Sequence, residues 1–174
     1  MPKGGYMKAK KLTLLSVFVA LSMILSFIES QIPPLSAIPG IKLGLANSAT
    51  VFILYALGGP YALLVSVVRV VLSSVLFGSA VSLAYSLSGA LLSLAAMVAM
   101  KRIKKFSYIG VSALGAVMHN AGQIICAVII LENAAIALYF PALIISGTVA
   151  GAAVGTVAGI VLARLKKHKI IDEK

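Results

Sequence analysis

An arginine within an otherwise apolar stretch is the residue with the clearest predicted chemistry. Arg69 follows Pro60 by nine residues in PYALLVSVVRVVLSSVLFG. At about 1.5 Å per residue it is roughly 14 Å from that turn, near the middle of a membrane core of about 30 Å. A guanidinium there is costly unless it faces a polar cavity, a partner or a ligand. Arg69 is therefore predicted either to bind an anion or to be held by helix carbonyls or a carboxylate, and Ser73, one turn further on, would extend its polar strip.

Two polar residues open another apolar run. Lys42 begins the run, and Asn47 lies just over one turn later. Lys42 alone would reach a membrane interface with its ammonium group. Together with Arg69 it would instead hold a phosphate or carboxylate, with the arginine as a fork and the lysine as a point charge.

Three polar side chains occur within five residues of a further apolar run. His119 and Gln123 are four residues apart and share a helix face, which Asn120 borders. They are predicted to bind the polar edge of a substrate or to bond across to other helices. We expect no metal site, because Cys126 is the only cysteine and His119 has no second histidine or intramembrane carboxylate beside it.

The elements that carry these residues are predicted to be membrane-spanning helices. The chain has 174 residues, is 61% hydrophobic and has a mean hydropathy of +1.10, which is too apolar for a soluble domain. We predict one integral membrane domain over residues 1–174, an all-α polytopic fold with six transmembrane helices. The six runs are 12–30, 41–57, 61–77, 81–100, 108–131 and 135–165. The first five are near the roughly 20 residues of a crossing, and the last is long enough to be tilted or to extend past the lipid.

Charge predicts the orientation of these spans. Thirteen of the fifteen basic residues fall in three clusters. The first is the tail at 1–11, the second is the connection at 101–105, and the third consists of Arg164 and the tail at 166–174. Six spans place all three clusters on the same side of the plasma membrane. The positive-inside rule makes that side cytoplasmic, so both termini would lie in the cytoplasm. The net charge of +11 then needs no nucleic-acid partner. Glu29 and Glu132 fall at outer span ends, where they pair with Lys42 or only mark the interface.

Small residues predict where helices pack closely. Glycine at a spacing of four lets two membrane helices approach, and the last run carries four, which favour internal packing over contact with another subunit: Gly147, Gly151, Gly155 and Gly159. Ser16 and Ala20 form a weaker pattern that suits internal packing or a partner. The proline-rich stretch 31–40 would form a lid or a stiff connector.

The sequence lacks the common motifs for catalysis. The sequence has no phosphate-binding G-x-x-x-x-G-K-[ST] loop, no paired aspartates of the kind that hold magnesium diphosphate, and no nucleophile elbow. We therefore predict a protein that is not an enzyme and that has no cofactor of its own.

Three segments carry a resemblance to a known family. IPGIKLGLANSATVFILYALG at Ile38–Gly58, Arg69, and HNAGQ at His119–Gln123 resemble the Gx transporter family, often labelled heptaprenyl diphosphate synthase component I. Size and layout also resemble the S components of energy-coupling factor transporters. That resemblance implies a subunit that binds a vitamin or precursor under its first loop and docks to a coupling subunit with two ATPases. Ser16 and Ala20 would be the docking residues, although Ser16 replaces the usual alanine.

The predicted function is that of a membrane substrate-binding subunit for uptake of a small anionic vitamin-like or precursor molecule. A flavin or an isoprenoid or quinone precursor would suit, and separate ATPases would supply the energy. The alternative is a non-catalytic membrane subunit or anchor of another system. That system would be either an isoprenoid (heptaprenyl diphosphate) system or a quinone or flavin redox system. An ion-coupled carrier ranks last, because both candidate carboxylates lie at span ends.

Overall fold

A computed structural model describes residues 3–31, 47–103 and 105–167, with the backbone alone for 3–10 and 48. In these ranges the chain is helical and contains no strand, which confirms the all-α prediction for this part of the chain. A short 3-10 helix, Ala134–Tyr139, precedes the last of six α-helices. They are α1 (Lys3–Gln31), α2 (Asn47–Ala56), α3 (Gly59–Phe77), α4 (Ala80–Ile103), α5 (Tyr108–Leu131) and α6 (Phe140–Lys167).

Five helical stretches in the described ranges are long and apolar enough to cross a bilayer, which defines a multi-pass membrane protein. They comprise α1 from Lys11 onward, α3, α4, α5, and the 3-10 helix with α6. The described part of α2 has 10 residues and spans about 15 Å, half of a bilayer core. The predicted second span begins at residue 41, and residues 41–46 lie outside the described ranges. The count of six spans therefore stays a prediction.

The central position belongs to α2, which packs against all five other α-helices. Val51, Ile53 and Leu54 are almost fully buried, and the ring of Phe52 stacks on that of Phe18 in α1 at a centroid distance of 4.2 Å. A helix that is apolar on every side is stable inside a protein core or in lipid. The packing of the five other α-helices around α2 therefore decides its place inside the bundle.

Local signals set the ends of the helices. Gly58, at φ 102°, turns the chain between α2 and α3, and Pro60 stands in the first turn of α3, where its missing N–H costs nothing. The Ser107 side chain accepts a hydrogen bond from the Gly110 N–H and so caps α5. Glu132, at φ 50°, ends α5. These turns let successive helices pack antiparallel.

Aromatic contacts show that the basic termini of the helices meet at one end of the bundle. Lys11 Nζ lies 6.0 Å from the centroid of the Tyr61 ring, and Lys101 Nζ lies 5.0 Å from that of Tyr55. The Tyr55 and Tyr108 rings are 4.6 Å apart. We call this the basic end; it holds Lys11, Lys101, Arg102 and Lys166. Which side of the membrane it faces stays a prediction.

The bundle carries its apolar side chains outward and many polar ones inward. Val75, Leu138 and Ile145 are 75%, 80% and 69% exposed. This suits a lipid environment, because hydrocarbon solvates the outer surface while polar groups find partners only within the protein. The largest buried polar side chains are Glu29, Asn47, Arg69, His119, Asn120 and Gln123.

Candidate functional site

Arg69 joins three helices at the middle of the bundle. Its side chain is only 5% exposed. Arg69 Nη1 donates to Ser26 Oγ of α1 at 3.3 Å, and Nη2 donates to Asn47 Oδ1 of α2 at 3.4 Å. Both distances exceed the usual 2.7–3.2 Å range, so the two bonds are weak. The guanidinium is thus enclosed but loosely held.

Two buried hydrogen-bond donors at this point are left unpaired within the described part of the chain. Among the described residues, neither Arg69 Nε nor Asn47 Nδ2 has a hydrogen-bond partner. A buried donor left unmade costs about 1–3 kcal/mol, and more when it is charged. An acceptor-rich group entering beside Arg69 and Asn47 would remove that cost.

Glu29 supplies a negative charge to the same group. It lies one turn after Ser26 on α1, is only 5% exposed, and acts electrostatically on Arg69. The interpretation of Glu29 as a mere interface marker is therefore wrong, because its carboxylate is buried among the helices. A buried guanidinium with an opposite charge nearby avoids the full cost of an isolated ion.

The other residues predicted for the charged group are placed differently. Ser73 is buried one turn beyond Arg69, and its hydroxyl donates to the Val70 carbonyl of its own helix at 3.3 Å. The hydroxyl proton is therefore used within α3, and the oxygen can still accept a hydrogen bond. Lys42 lies outside the described residues.

His119 and Gln123 are buried where α4 and α5 cross. A Cβ added to Gly89 of α4 would lie 2.7 Å from the His119 carbonyl oxygen and 3.0 Å from Gln123 Cγ. Gly122 of α5 faces α4 in the same way, and Ser88 Oγ donates to its carbonyl at 2.9 Å. Gly89 thus leaves room for the two polar side chains, and Gly122 lets the backbone of α4 come close to α5.

Gly89 and Gly122 do not stand out in the sequence, because neither belongs to a repeated glycine pattern. The available signal was SLSG, small residues ending at Gly89, opposite the HNAG that ends at Gly122. Small residues on two consecutive spans predict a close crossing only once those spans are known to be neighbours.

Asn120 bonds across to another helix, one of its two predicted roles. Its Nδ2 donates to the Leu143 carbonyl of α6 at 2.9 Å. A Cβ at Gly147 would lie 2.8 Å from that nitrogen, so the glycine provides the space for this bond. Asn120 therefore faces α6, while His119 and Gln123 face Gly89 of α4.

The two polar groups lie at the same depth in the bundle. Counted along the helices from the basic end at about 1.5 Å per residue, Arg69 is about 15 Å from Gly59 and His119 about 17 Å from Tyr108. Gly89 is about 18 Å from Lys101 by the same count. Arg69 and His119 thus lie at one depth about halfway through the bundle, which we call the polar layer, although α3 and α5 do not contact each other in the described part of the chain.

The glycine stripe of α6 packs on α5 of the same chain. A Cβ at Gly151 would lie 2.6 Å from Ala113 Cα, and one at Gly155 would lie 2.7 Å from Ile109 Cα. These are backbone atoms, so the helices touch along their main chains. Gly147 and Gly159 continue the same contact toward Asn120 and Tyr108.

The small residues of α1 divide between two faces. Ser16 and Ala20 are exposed, whereas Ser22 and Ser26 are buried in the bundle. Ser22 bonds to carbonyls of its own helix, and Ser26 accepts from Arg69. The predicted docking pair thus lies where another helix has access to it.

The helices and the buried polar layer define a polytopic membrane protein. A family model described as heptaprenyl diphosphate synthase component I matches residues 18–161. The chain belongs to that family, which confirms the resemblance drawn from its sequence. The description names one component of a synthase, and the matched range covers the whole polar layer but leaves out Ser16. Neither curated proteins nor solved structures gave a match.

Proposed function

We propose that this protein is a plasma-membrane substrate-binding subunit for uptake of a small anionic vitamin-like or precursor molecule. Separate ATPase subunits supply the energy, and the chain catalyses no reaction. The observation that carries the proposal is the guanidinium of Arg69. It is enclosed at the middle of the bundle, is held by two long hydrogen bonds, and has donor capacity left over.

The charge and geometry of this group favour a carboxylate or phosphate as ligand. Such a group accepts two parallel hydrogen bonds from a guanidinium, and the Asn47 amide can add a third. Glu29 serves as the counter-charge of Arg69 in the empty state. An entering anion takes over that role, so removing the Glu29 charge should strengthen anion binding.

His119 and Gln123 complete the proposed site. They lie in the same polar layer as Arg69 and can accept and donate hydrogen bonds to the polar edge of a ring system. A flavin or an isoprenoid or quinone precursor has the required combination of an anionic end and a larger body. Lys42 lies in the segment PGIKLGLAN and is proposed to add a second cation to the site.

The exposed pair Ser16 and Ala20 is proposed to dock the coupling subunit. Small residues on an outward helix face let a partner helix approach without a side chain between the backbones. No other described part of α1 combines small residues with exposure over a full helical turn; its outward neighbours are large, among them Leu12, Val17, Leu21 and Ile24.

Two substitutions, one that removes a positive charge and one that removes a negative charge, test the site. The protein is purified in mild detergent, and its bound small molecule is extracted and measured by mass spectrometry and an absorption scan. We expect a flavin, vitamin or soluble precursor in the wild type, its loss in Arg69→Gln, and its retention in Glu29→Gln. Arg164→Gln, at an exposed position, is the matched control. Retention of the ligand by a folded Arg69→Gln protein would refute the role of Arg69.

The second candidate is a non-catalytic membrane subunit or anchor of either an isoprenoid (heptaprenyl diphosphate) system or a quinone or flavin redox system. The family description and the cluster of basic residues at one end favour it. A prenyl diphosphate or quinone in the extract would support it. So would capture of a soluble synthase or redox protein, whereas the first candidate predicts capture of a coupling subunit with ATPases.

A further inference from the structure

Two buried hydroxyl groups lie one helical turn from the contact between Arg69 and Asn47. Ser66 precedes Arg69 by three residues on the same side of α3, and Thr50 follows Asn47 by three residues on the same side of α2. Because the turn at Gly58 makes α2 and α3 antiparallel, both steps lead toward the basic end. Ser66 and Thr50, which we call the hydroxyl pair, are each 2% exposed.

The hydroxyl pair differs from the hydroxyl groups that are used within a helix. Ser73 and Thr148 donate to a carbonyl one turn earlier in their own helices, as serine and threonine commonly do there. Within the described part of the chain, neither Ser66 Oγ nor Thr50 Oγ1 has a hydrogen-bond partner. Both hydroxyls can therefore donate to, and accept from, a group that enters beside Arg69.

The neighbouring helices indicate which part of a ligand meets these hydroxyls. Both α2 and α4 pack against α3 and against α5, which do not contact each other in the described ranges. A ligand that reaches from Arg69 of α3 to His119 of α5 therefore lies along α2, which carries Thr50, and α4. Helix α4 contributes two further buried hydroxyls without a partner among the described residues, at Ser86 and Ser93. The part of the ligand that joins its anionic end to its ring thus runs past hydroxyl groups.

We propose that the ligand of the Arg69 site is an organic anion with hydroxyl groups on the carbon atoms next to its anionic group. The hydroxyl pair donates to these groups and accepts from them. The inference rests on the proposed function and narrows its substrate to a hydroxylated anion, such as a sugar acid or a polyol phosphate.

An alkyl chain in the same place would leave the hydroxyl pair buried without partners. Each hydroxyl left unpaired in this way weakens binding about tenfold. A site built to hydrogen-bond a hydroxyl group of its substrate therefore rejects an analogue that lacks the group. A prenyl chain attached directly to a diphosphate is such an analogue.

Two pairs of matched anions test the proposal. Ribitol 5-phosphate and pentyl phosphate share a phosphate and the same number of carbon atoms, and gluconate and hexanoate share a carboxylate in the same way. Only the first member of each pair carries hydroxyl groups. The full chain is purified in mild detergent and dialysed, and each dissociation constant is taken from the rise of the thermal midpoint as the anion is titrated.

We expect the hydroxylated anion of at least one pair to bind at least tenfold more tightly than its alkyl partner. Thr50→Val combined with Ser66→Ala should reduce this preference to below about twofold. Thr50→Val alone, which keeps the shape of the side chain, should remove part of the preference and serves if the double variant does not fold.

Ser74→Ala is the matched control for the loss of a buried hydroxyl. Ser74 is 5% exposed and also lacks a partner among the described residues, but it lies about 12 Å beyond Ser66 along α3. The control should keep the full preference. A preference in the phosphate pair alone identifies a phosphate as the anionic group, and one in the other pair alone identifies a carboxylate.

Equal binding within each pair, tighter binding of the alkyl anions, or no binding of any of the four anions would overturn the proposal. So would a preference that survives in the double variant. Arg69→Gln separates this failure from that of the proposed function. Equal binding within a pair that is lost in Arg69→Gln would overturn the hydroxyl proposal alone, whereas binding that persists in Arg69→Gln would refute the anion site itself.

Discussion

The contact between α5 and α6 can be tested by two glycine substitutions one turn apart. At Gly155, an added Cβ would lie 2.7 Å from Ile109 Cα and 2.8 Å from the Tyr108 carbonyl oxygen. At Gly159, the nearest atom would be Tyr108 Cδ2 at 3.3 Å. Ordinary van der Waals contact begins near 3.4 Å. Gly155→Ala therefore overlaps two rigid backbone atoms, whereas Gly159→Ala meets the side of one aromatic ring.

These distances predict different changes in the free energy of unfolding. For Gly155→Ala, α5 and α6 must separate by about 0.7 Å, and overpacking of this kind costs about 1–3 kcal/mol. A loss of about 2 kcal/mol corresponds to a roughly thirtyfold larger unfolding constant. For Gly159→Ala, a small rotation of the Tyr108 ring relieves the overlap. The better helix propensity of alanine, up to about 1 kcal/mol, should leave stability unchanged or slightly higher.

The assay is unfolding of the purified protein by SDS titration in a fixed mild detergent, followed by circular dichroism. Both variants carry the same chemical change on the same face of α6, so effects of detergent and helix propensity cancel in the comparison. Equal stability of the two variants, or a more stable Gly155→Ala, would refute the reasoning from backbone contact.

Three further substitutions test other contacts. Asn120→Ala should cost about 1 kcal/mol in an SDS titration, because the hydrogen bond to the Leu143 carbonyl is lost; an unchanged midpoint would contradict this. Gly89→Ala should force α4 from α5 by about 0.7 Å, cost about 1–3 kcal/mol, and lower the amount of co-purifying ligand; full ligand content would contradict the proposed layer. Lys101→Met should lower the thermal midpoint, since the Leu54 carbonyl at the end of α2 loses a charged donor worth about 1.5–3 kcal/mol; a higher midpoint would contradict this.

Long apolar runs made the spanning helices predictable. The fifth predicted span, 108–131, has the bounds of α5, and the third ends at residue 77 as α3 does. Length and hydropathy suffice here, because a backbone in hydrocarbon must form its own hydrogen bonds. The last span was only roughly predicted, since a 3-10 helix at Ala134–Tyr139 precedes α6. Nothing in AAIALY distinguishes a 3-10 from an α-helical turn.

Partners of the polar side chains were harder to predict. Arg69 stood out because a charge in an apolar run is rare, but its neighbours Ser26 and Glu29 are about forty positions away in the chain. Glu29 looked like an end-of-span residue, and its burial depends on the packing of α1 against other helices. Gly89 passed unnoticed for the same reason, since its role depends on α5 lying directly opposite.

The sequence by itself determined the class of protein, the positions of five long helices, and the residues whose chemistry is out of place in hydrocarbon. These follow from local properties, namely run length, charge and glycine spacing. Only the tertiary structure decided that Arg69 contacts α1 and α2, that Asn120 is used to hold α6, and that the hydroxyls of Thr50 and Ser66 are buried. Such contacts depend on which helices are neighbours and how each is rotated, and that is set by the packing of all the helices together.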